Sequence, residues 1–213
     1  MSASIKYYGY PVRPVKNDAP ATTGTAKAKL VAGSDTEYDV TWVQLWENGP
    51  KWATINVGVT NPEATTGTVA YGGMYHWCGT NNKRINPSAS DDHDTGSSYG
   101  STYDTAKNIW GSAWRMPTNT ELSDLLSKCN CTFANGGLNV TGNGDYSSYS
   151  IFLPAAGYYI SGSISSESNI GDYWSSTPLS GDQAKNLNFH SSSKIVGQLQ
   201  REYGCCVRAV LAE

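Results

Sequence analysis

Apolar residues in this chain recur mostly at every second position, in short runs broken by glycine, proline and asparagine. Tyr38, Val40, Trp42, Val43 and Leu45 form one run, Asn48-Gly49-Pro50 follows, and Trp52, Ile55 and Val57 form the next. The pattern predicts strands over 38–45 and 51–57 joined as a hairpin. Ile151–Leu153 reads as a buried strand stopped by Pro154, and 186–190, 194–199 and 206–210 alternate as further strands. Asn135-Gly-Gly and Gly142-Asn-Gly carry the asparagine–glycine chemistry of tight hairpin turns. One segment switches to helical period. Pro117 precedes Thr118, Glu121 stands three residues on as in a capping box, and Leu122, Leu125, Leu126 and Cys129 share a face. A shorter helix is predicted over Asp104–Ile109. Residues 58–102 form a turn-rich insertion around the aromatic island Tyr71-Gly-Gly-Met-Tyr-His-Trp77, and 17–28 has the Pro, Gly and small polar residues of a linker. The elements predict an α+β domain over 38–213, a twisted antiparallel sheet with one or two helices and long loops. Residues 17–37 before it are a linker or an extra strand.

Composition narrows the function classes. A chain of 213 residues suits one domain plus a short extra segment and buries a sizeable core. Only 15% of residues are charged, the net charge is −3, and no basic stripe stands out, which argues against nucleic-acid binding. No apolar run approaches the roughly 20 residues that span a membrane, which argues against direct insertion. Met1-Ser-Ala-Ser-Ile-Lys6 lacks the apolar stretch of a secretory signal. The five cysteines, at 78, 129, 131, 205 and 206, are odd in number and lack zinc-ligand spacing. Most read as small apolar residues in a protein made in a reducing cell. Tyr8-Gly-Tyr-Pro-Val-Arg-Pro-Val15 echoes Tyr203-Gly-Cys-Cys-Val-Arg-Ala-Val210 at five of eight positions. Residues 1–16 are then either the last strand of a preceding similar domain or a partner strand within the same sheet.

The apolar runs also carry short motifs in fixed order: Trp52-Ala-Thr-Ile-Asn-Val-Gly58, Trp114-Arg-Met-Pro-Thr118, Ile151-Phe-Leu-Pro-Ala-Ala-Gly157, Tyr173-Trp-Ser-Ser176 and Tyr203-Gly-Cys-Cys-Val-Arg208. In this order, over about 40–210, they resemble the FISUMP-type major paralogous domain found in surface proteins of gut-dwelling anaerobes. The Trp-Arg-Met-Pro-Thr segment also looks like part of formylglycine-generating enzymes. Both families are similar to the C-type lectin fold, which diversity-generating retroelement variable proteins share. The resemblance implies a C-type-lectin-like module that is not an enzyme. It would be displayed on a cell surface or virion of a gut bacterium or its phage, and would recognise a protein or glycan ligand on another cell or host. Oligomers fit the same picture. In retroelement variable proteins, exposed positions near the C-terminus are diversified while scaffold positions stay fixed. By that likeness Tyr173-Trp-Ser-Ser, Asn186-Leu-Asn-Phe189 and Val207-Arg-Ala-Val are scaffold. The contact positions are Leu179, Asp182, Gln183, Lys185, His190, Ser193, Lys194, Val196, Gln198, Gln200, Glu202 and Cys205. They are chemically mixed, as a randomised face would be and as an ordinary solvated strand face also is.

Other groups carry candidate chemistry. Asp91-Asp-His-Asp94 clusters hard oxygens on a flexible loop, which suits calcium, although an acidic surface loop has the same composition. No other cofactor is implied. Cys205-Cys206 invites comparison with the redox cysteines of formylglycine-generating enzymes but departs from their spacing, so an oxidoreductase stands behind two binding readings. These are the display module with a variable C-terminal face, and a fixed-specificity tandem adhesin or phage fibre domain. Tyr75, Trp77, Tyr173 and Trp174 form either an aromatic ligand platform or core packing, with core packing favoured for Trp174. The histidines at 76, 93 and 190 show no nucleophile signature.

Overall fold

The structure, a computed structural model, describes residues 21–89 and 104–212. It is mostly antiparallel sheet with two α-helices, in agreement with the α+β expectation. Strand β1 (Thr23–Ala28) pairs with β2 (Tyr38–Gln44), which pairs with β3 (Lys51–Ala53). Helix α1 (Thr105–Trp110), strand β4 (Trp114–Arg115) and helix α2 (Asn119–Lys128) follow. A three-stranded sheet comprises β5 (Asn130–Ala134), β6 (Gly137–Thr141) and β7 (Ser150–Pro154). A ribbon joins β8 (Tyr158–Ile160) to β9 (Ser163–Ser165). A second three-stranded sheet runs β10 (Gly171–Pro178), β11 (Gln183–His190) and β12 (Ser193–Gln200). Strand β13 (Val210–Leu211) completes the first sheet between β3 and β4. No helix among the described residues is long and apolar enough to cross a membrane.

Local chemistry accounts for these elements. Thr118 Oγ1 accepts from the Glu121 amide at 3.2 Å, and Glu121 Oε2 accepts from the Thr118 amide at 2.7 Å, so the capping box is closed. Arg115 then grips Glu121 through two bonds of 2.6 and 2.8 Å, tying β4 to the start of α2. Burial alone would raise the Glu121 pKa, but the bonds from Arg115 and Thr118 outweigh it and hold the carboxyl below its ordinary value. Asp104 caps α1 through Lys107 N and also takes the Met116 amide at 2.8 Å. Asn135 and Gly136 both have positive φ, 55° and 72°, as a two-residue turn between right-twisted strands requires.

Several segments depart from the sequence reading. Residues 23–28, within the stretch of linker composition at 17–28, form edge strand β1, the extra-strand alternative for 17–37. Its alternating small residues turn Ala28 inward, and Lys29 N bonds Trp110 O at 3.1 Å. The strand expected over 51–57 leaves its neighbour after Ala53, because Val57 N turns to Val207 O at 2.9 Å. Gly142-Asn-Gly opens a longer connection with a 3-10 turn at Gly144–Tyr146, where Asn143 Nδ2 satisfies the Lys128 carbonyl at the end of α2. In the described part of the insertion the aromatic island is core, with Ala70, Met74, Tyr75 and Trp77 buried.

The largest departure is at 203–210. Instead of an alternating strand, Gly204–Val210 is an extended segment buried along its whole length. Gly204 exchanges bonds of 2.8 Å with Tyr159, Cys205 bonds of 2.9 Å with Tyr75, and Cys206 bridges Asp172 and Trp174 of β10. Val210 then pairs with both Trp52 and Arg115. This strap runs between two hydrophobic clusters. One gathers Trp77, Trp110, Trp114 and Trp174, and the other gathers Trp46, Trp52, α2, β6, β7 and Phe189.

Arg208 projects from the strap into the interior. Its Nε bonds Asn56 Oδ1 at 2.9 Å, Nη1 bonds Ala53 O at 2.9 Å and Nη2 bonds Phe152 O at 2.8 Å. Asn56 Nδ2 reaches Tyr71 O and Tyr173 Oη, each at 3.0 Å, and Tyr173 Oη donates to Pro154 O at 2.8 Å. Four of the ordered motifs thus meet at one buried cation. The glycines that end two of them are fixed by close approach. At Gly58 (φ +85°) and Gly157 (φ +74°) a Cβ would strike the backbone of Gly73 and of Ser165.

Arg208→Met is expected to destabilise the fold by about 3–5 kcal/mol, since it strips the partners from buried acceptors. Arg208→Lys, which keeps the charge but not the planar fork, should still cost about 2 kcal/mol or more. Urea unfolding midpoints check both, and a Lys variant as stable as the parent would refute the role of the fork.

Candidate functional site

The β10–β12 sheet presents two faces. Cross-strand register pairs Gln183 with Gln200, Lys185 with Gln198, Leu187 with Val196 and Phe189 with Lys194. Residues so paired share a face. Tyr173, Leu187 and Phe189 of that face are buried with Leu122 and Leu125 of α2, and Val196 packs partly against them. Among the expected contact positions, Gln183, Lys185, Lys194, Gln198 and Gln200 are therefore brought together as a polar surface around an apolar seam, to which Val196 belongs. Leu179 and Asp182 sit in the β10–β11 turn, Glu202 follows β12, and His190 and Ser193 flank the β11–β12 turn. Cys205 does not belong with them. It is fully buried in the strap, with Tyr75 bonded to its main chain.

Arg201 fixes the backbone beneath this surface. It is fully buried, its Nε bonds Gln183 O at 3.0 Å, its Nη2 bonds Leu179 O at 3.2 Å, and its own amide bonds Asp182 O at 3.0 Å. Its guanidinium lies 4.3 Å from the Trp77 ring centroid. These bonds all end on main-chain carbonyls, so they do not depend on which side chains stand at 179, 182 and 183.

The opposite face of the same sheet opens into a cleft of 530 Å³. Asp172, Asn186 and Asn188 make its floor, Tyr158 and Tyr203 one wall, and Ile195, Gly197 and Leu199 the other; Gln198 borders it. Asn186 and Asn188 both donate to Asp172 Oδ1, at 2.7 and 3.0 Å. The tyrosine ring centroids stand 5.8 Å apart at 44°. Burial, opposed by the two amides, pushes the Asp172 carboxyl up to about 6. Asn186 and Asn188 lie in a segment expected to be scaffold, Asp172 stands just before another, and Tyr158 lies 45 positions before Tyr203. Only the bridge between Tyr159 and Gly204 brings the two rings together.

The aromatic residues weighed as a platform, Tyr75, Trp77, Tyr173 and Trp174, are all core. Their polar atoms serve the scaffold: the Trp174 indole donates to Tyr75 O at 2.9 Å and the Trp77 indole to Ser175 O at 2.8 Å. All five cysteines are unbridged. Burial pushes the Cys206 thiol up to about 12 and raises Cys205 well above its usual value, so neither offers a thiolate at neutral pH. Among the described residues no cluster of His, Cys, Asp or Glu could hold a metal ion. The Asp91–Asp94 loop and the Tyr8–Val15 echo lie outside the described residues. No family model, curated protein or solved structure matches the chain.

The raised pKa of Asp172 sets a pH dependence of stability. The native state holds this proton more tightly than the unfolded chain, whose ordinary value is 3.8. Asp172 therefore weakens the fold progressively as pH rises from about 4 to about 6. Asp172→Asn should remove that slope and stabilise the protein by about 1–3 kcal/mol at pH 7.5. Thermal melts across pH 4–8 check this, and an unchanged slope would refute it.

Proposed function

We propose that this chain is a C-type-lectin-like ligand-binding module, non-enzymatic, that displays a substitution-tolerant face on the β10–β12 sheet and its turns. The observation that carries the reading is the Arg201 clamp, which holds Leu179, Asp182 and Gln183 through their main-chain carbonyls, with all three residues at least partly exposed. A module whose specificity must change without refolding needs that separation. The ordered motifs support it from the other side, since they are spent on the buried Arg208 network and the two cores. The likeness to FISUMP-type and retroelement variable proteins gives the setting, a cell or virion surface, and the ligand, a protein or glycan borne by another cell or host. Affinity would come from a few central anchors within an interface of standard size.

A display library randomised at Asp182, Gln183, Lys185, Gln198, Gln200 and Glu202 tests the reading. Most members should remain folded and protease-resistant, each substitution costing about 0.5 kcal/mol or less. Arg201→Ala should unfold or severely weaken the protein. Fluorescently labelled parent should stain some cell or virion type, and the same chain with all these positions changed to serine should not. A library that mostly unfolds, or a serine variant that stains like the parent, would overturn the proposal.

A further inference from the structure

The cleft on the reverse face carries its own mark of a missing partner. Asn186 borders the cleft but is only 3% exposed; its Nδ2 is bound to Asp172, and its buried Oδ1 accepts no hydrogen bond. A buried amide oxygen left without a donor costs free energy, and such groups in folded proteins call for an explanation. Gly197 stands directly opposite Asn186 in register. A Cβ there would sit 3.5 Å from Asn186 Oδ1, an ordinary contact that the backbone tolerates without strain. The absence of a side chain at 197 is thus not needed by the sheet, and it leaves only backbone between the cleft and the buried acceptor.

We infer that the cleft floored by Asp172, Asn186 and Asn188 is a calcium-independent binding site for a neutral sugar. The floor alternates acceptors with amide N–H donors. Asp172 and Asn186 Oδ1 accept, and each asparagine amide keeps a second N–H beyond the one given to Asp172. Sugar hydroxyls donate and accept at once, which suits such a floor. The C–H face of a pyranose matches the tilted Tyr158–Tyr203 wall, and Ile195, half exposed at 54%, closes the far side. The volume lies within the range of small-molecule sites and accommodates one or two sugar rings. A basic ligand is served less well, because the one carboxylate on the floor already receives two hydrogen bonds on a single oxygen. This site lies on the opposite side of the sheet from the displayed face and does not depend on that reading.

The test is a titration of the isotope-labelled protein with neutral mono- and disaccharides, following the side-chain amide signals of Asn186 and Asn188. At least one sugar should shift both signals saturably, with chelator present. Gly197→Ala should weaken binding by about tenfold or more while leaving the melting temperature unchanged. Asp172→Asn should weaken it too. Randomising Asp182, Gln183 and Lys185 should leave it intact, which separates this site from the displayed face. Saturation by arginine or lysine esters and by no sugar would overturn the proposal in favour of a cationic ligand. Silence of both amide signals with every sugar, or equal affinity in Gly197→Ala, would overturn it outright.

Discussion

Arg208 brings a full positive charge into the seam between two hydrophobic clusters, and its three hydrogen bonds all end on neutral oxygens. Burial pushes its pKa down to about 10, which still leaves it charged in neutral solution. A cation so placed is stable only if every donor meets an oxygen at the right angle. That requirement fixes the chain at Ala53, Asn56 and Phe152 relative to the strap. Through Asn56 it also fixes Tyr71 and Tyr173, and through Tyr173 it fixes Pro154. Three sheets and the insertion are positioned by this one polar knot, around which the aromatic clusters fill space.

Arg201 solves a related problem at the edge. Both arginines bind main-chain carbonyls, but Arg208 locks elements together in the interior, whereas Arg201 steadies the backbone around the β10–β11 turn. The two arrangements give the molecule a rigid interior and a surface that contributes little to holding the fold. The cleft follows a third logic. There the polar groups are side chains, they bond to one another around Asp172, and they leave one acceptor over. A surface meant to vary avoids such interdependence, and a pocket for one kind of ligand uses it.

How much of this was legible in the sequence varied with the range of the interaction. The α2 capping box, the Asp104 cap and the Asn135-Gly136 turn are local, and their residues announce them. The alternation at 186–190 and 194–199 revealed both strands of the β11–β12 hairpin, short of their full lengths. The strap was misread because Cys206, Val207, Ala209 and Val210 alternate only loosely, and a segment buried on every side needs no polar face. Cys205 followed that error into the contact set. The threonine, glycine and alanine composition of β1 left linker and extra strand both open, because it fits either when no partner is known. The cleft was out of reach. Asp172, Asn186 and Asn188 meet Tyr158 and Tyr203 through sheet register and an isolated bridge, which sequence spacing does not encode.

The strap has a further consequence for how the molecule comes into being. Arg208 and Asn56 are separated by 152 positions, and Tyr71 and Cys206 by 135. Contacts of such span form slowly, because the intervening chain must first be brought to order. During synthesis the elements up to β12 emerge before the segment that joins them, with both aromatic clusters open along the seam. Local hairpins and α2 can form at that stage, but cooperative closure waits until residues 204–210 have left the ribosome. The step that makes the interior dry therefore follows the synthesis of every element up to β12, and the nascent chain must be shielded from aggregation until it occurs.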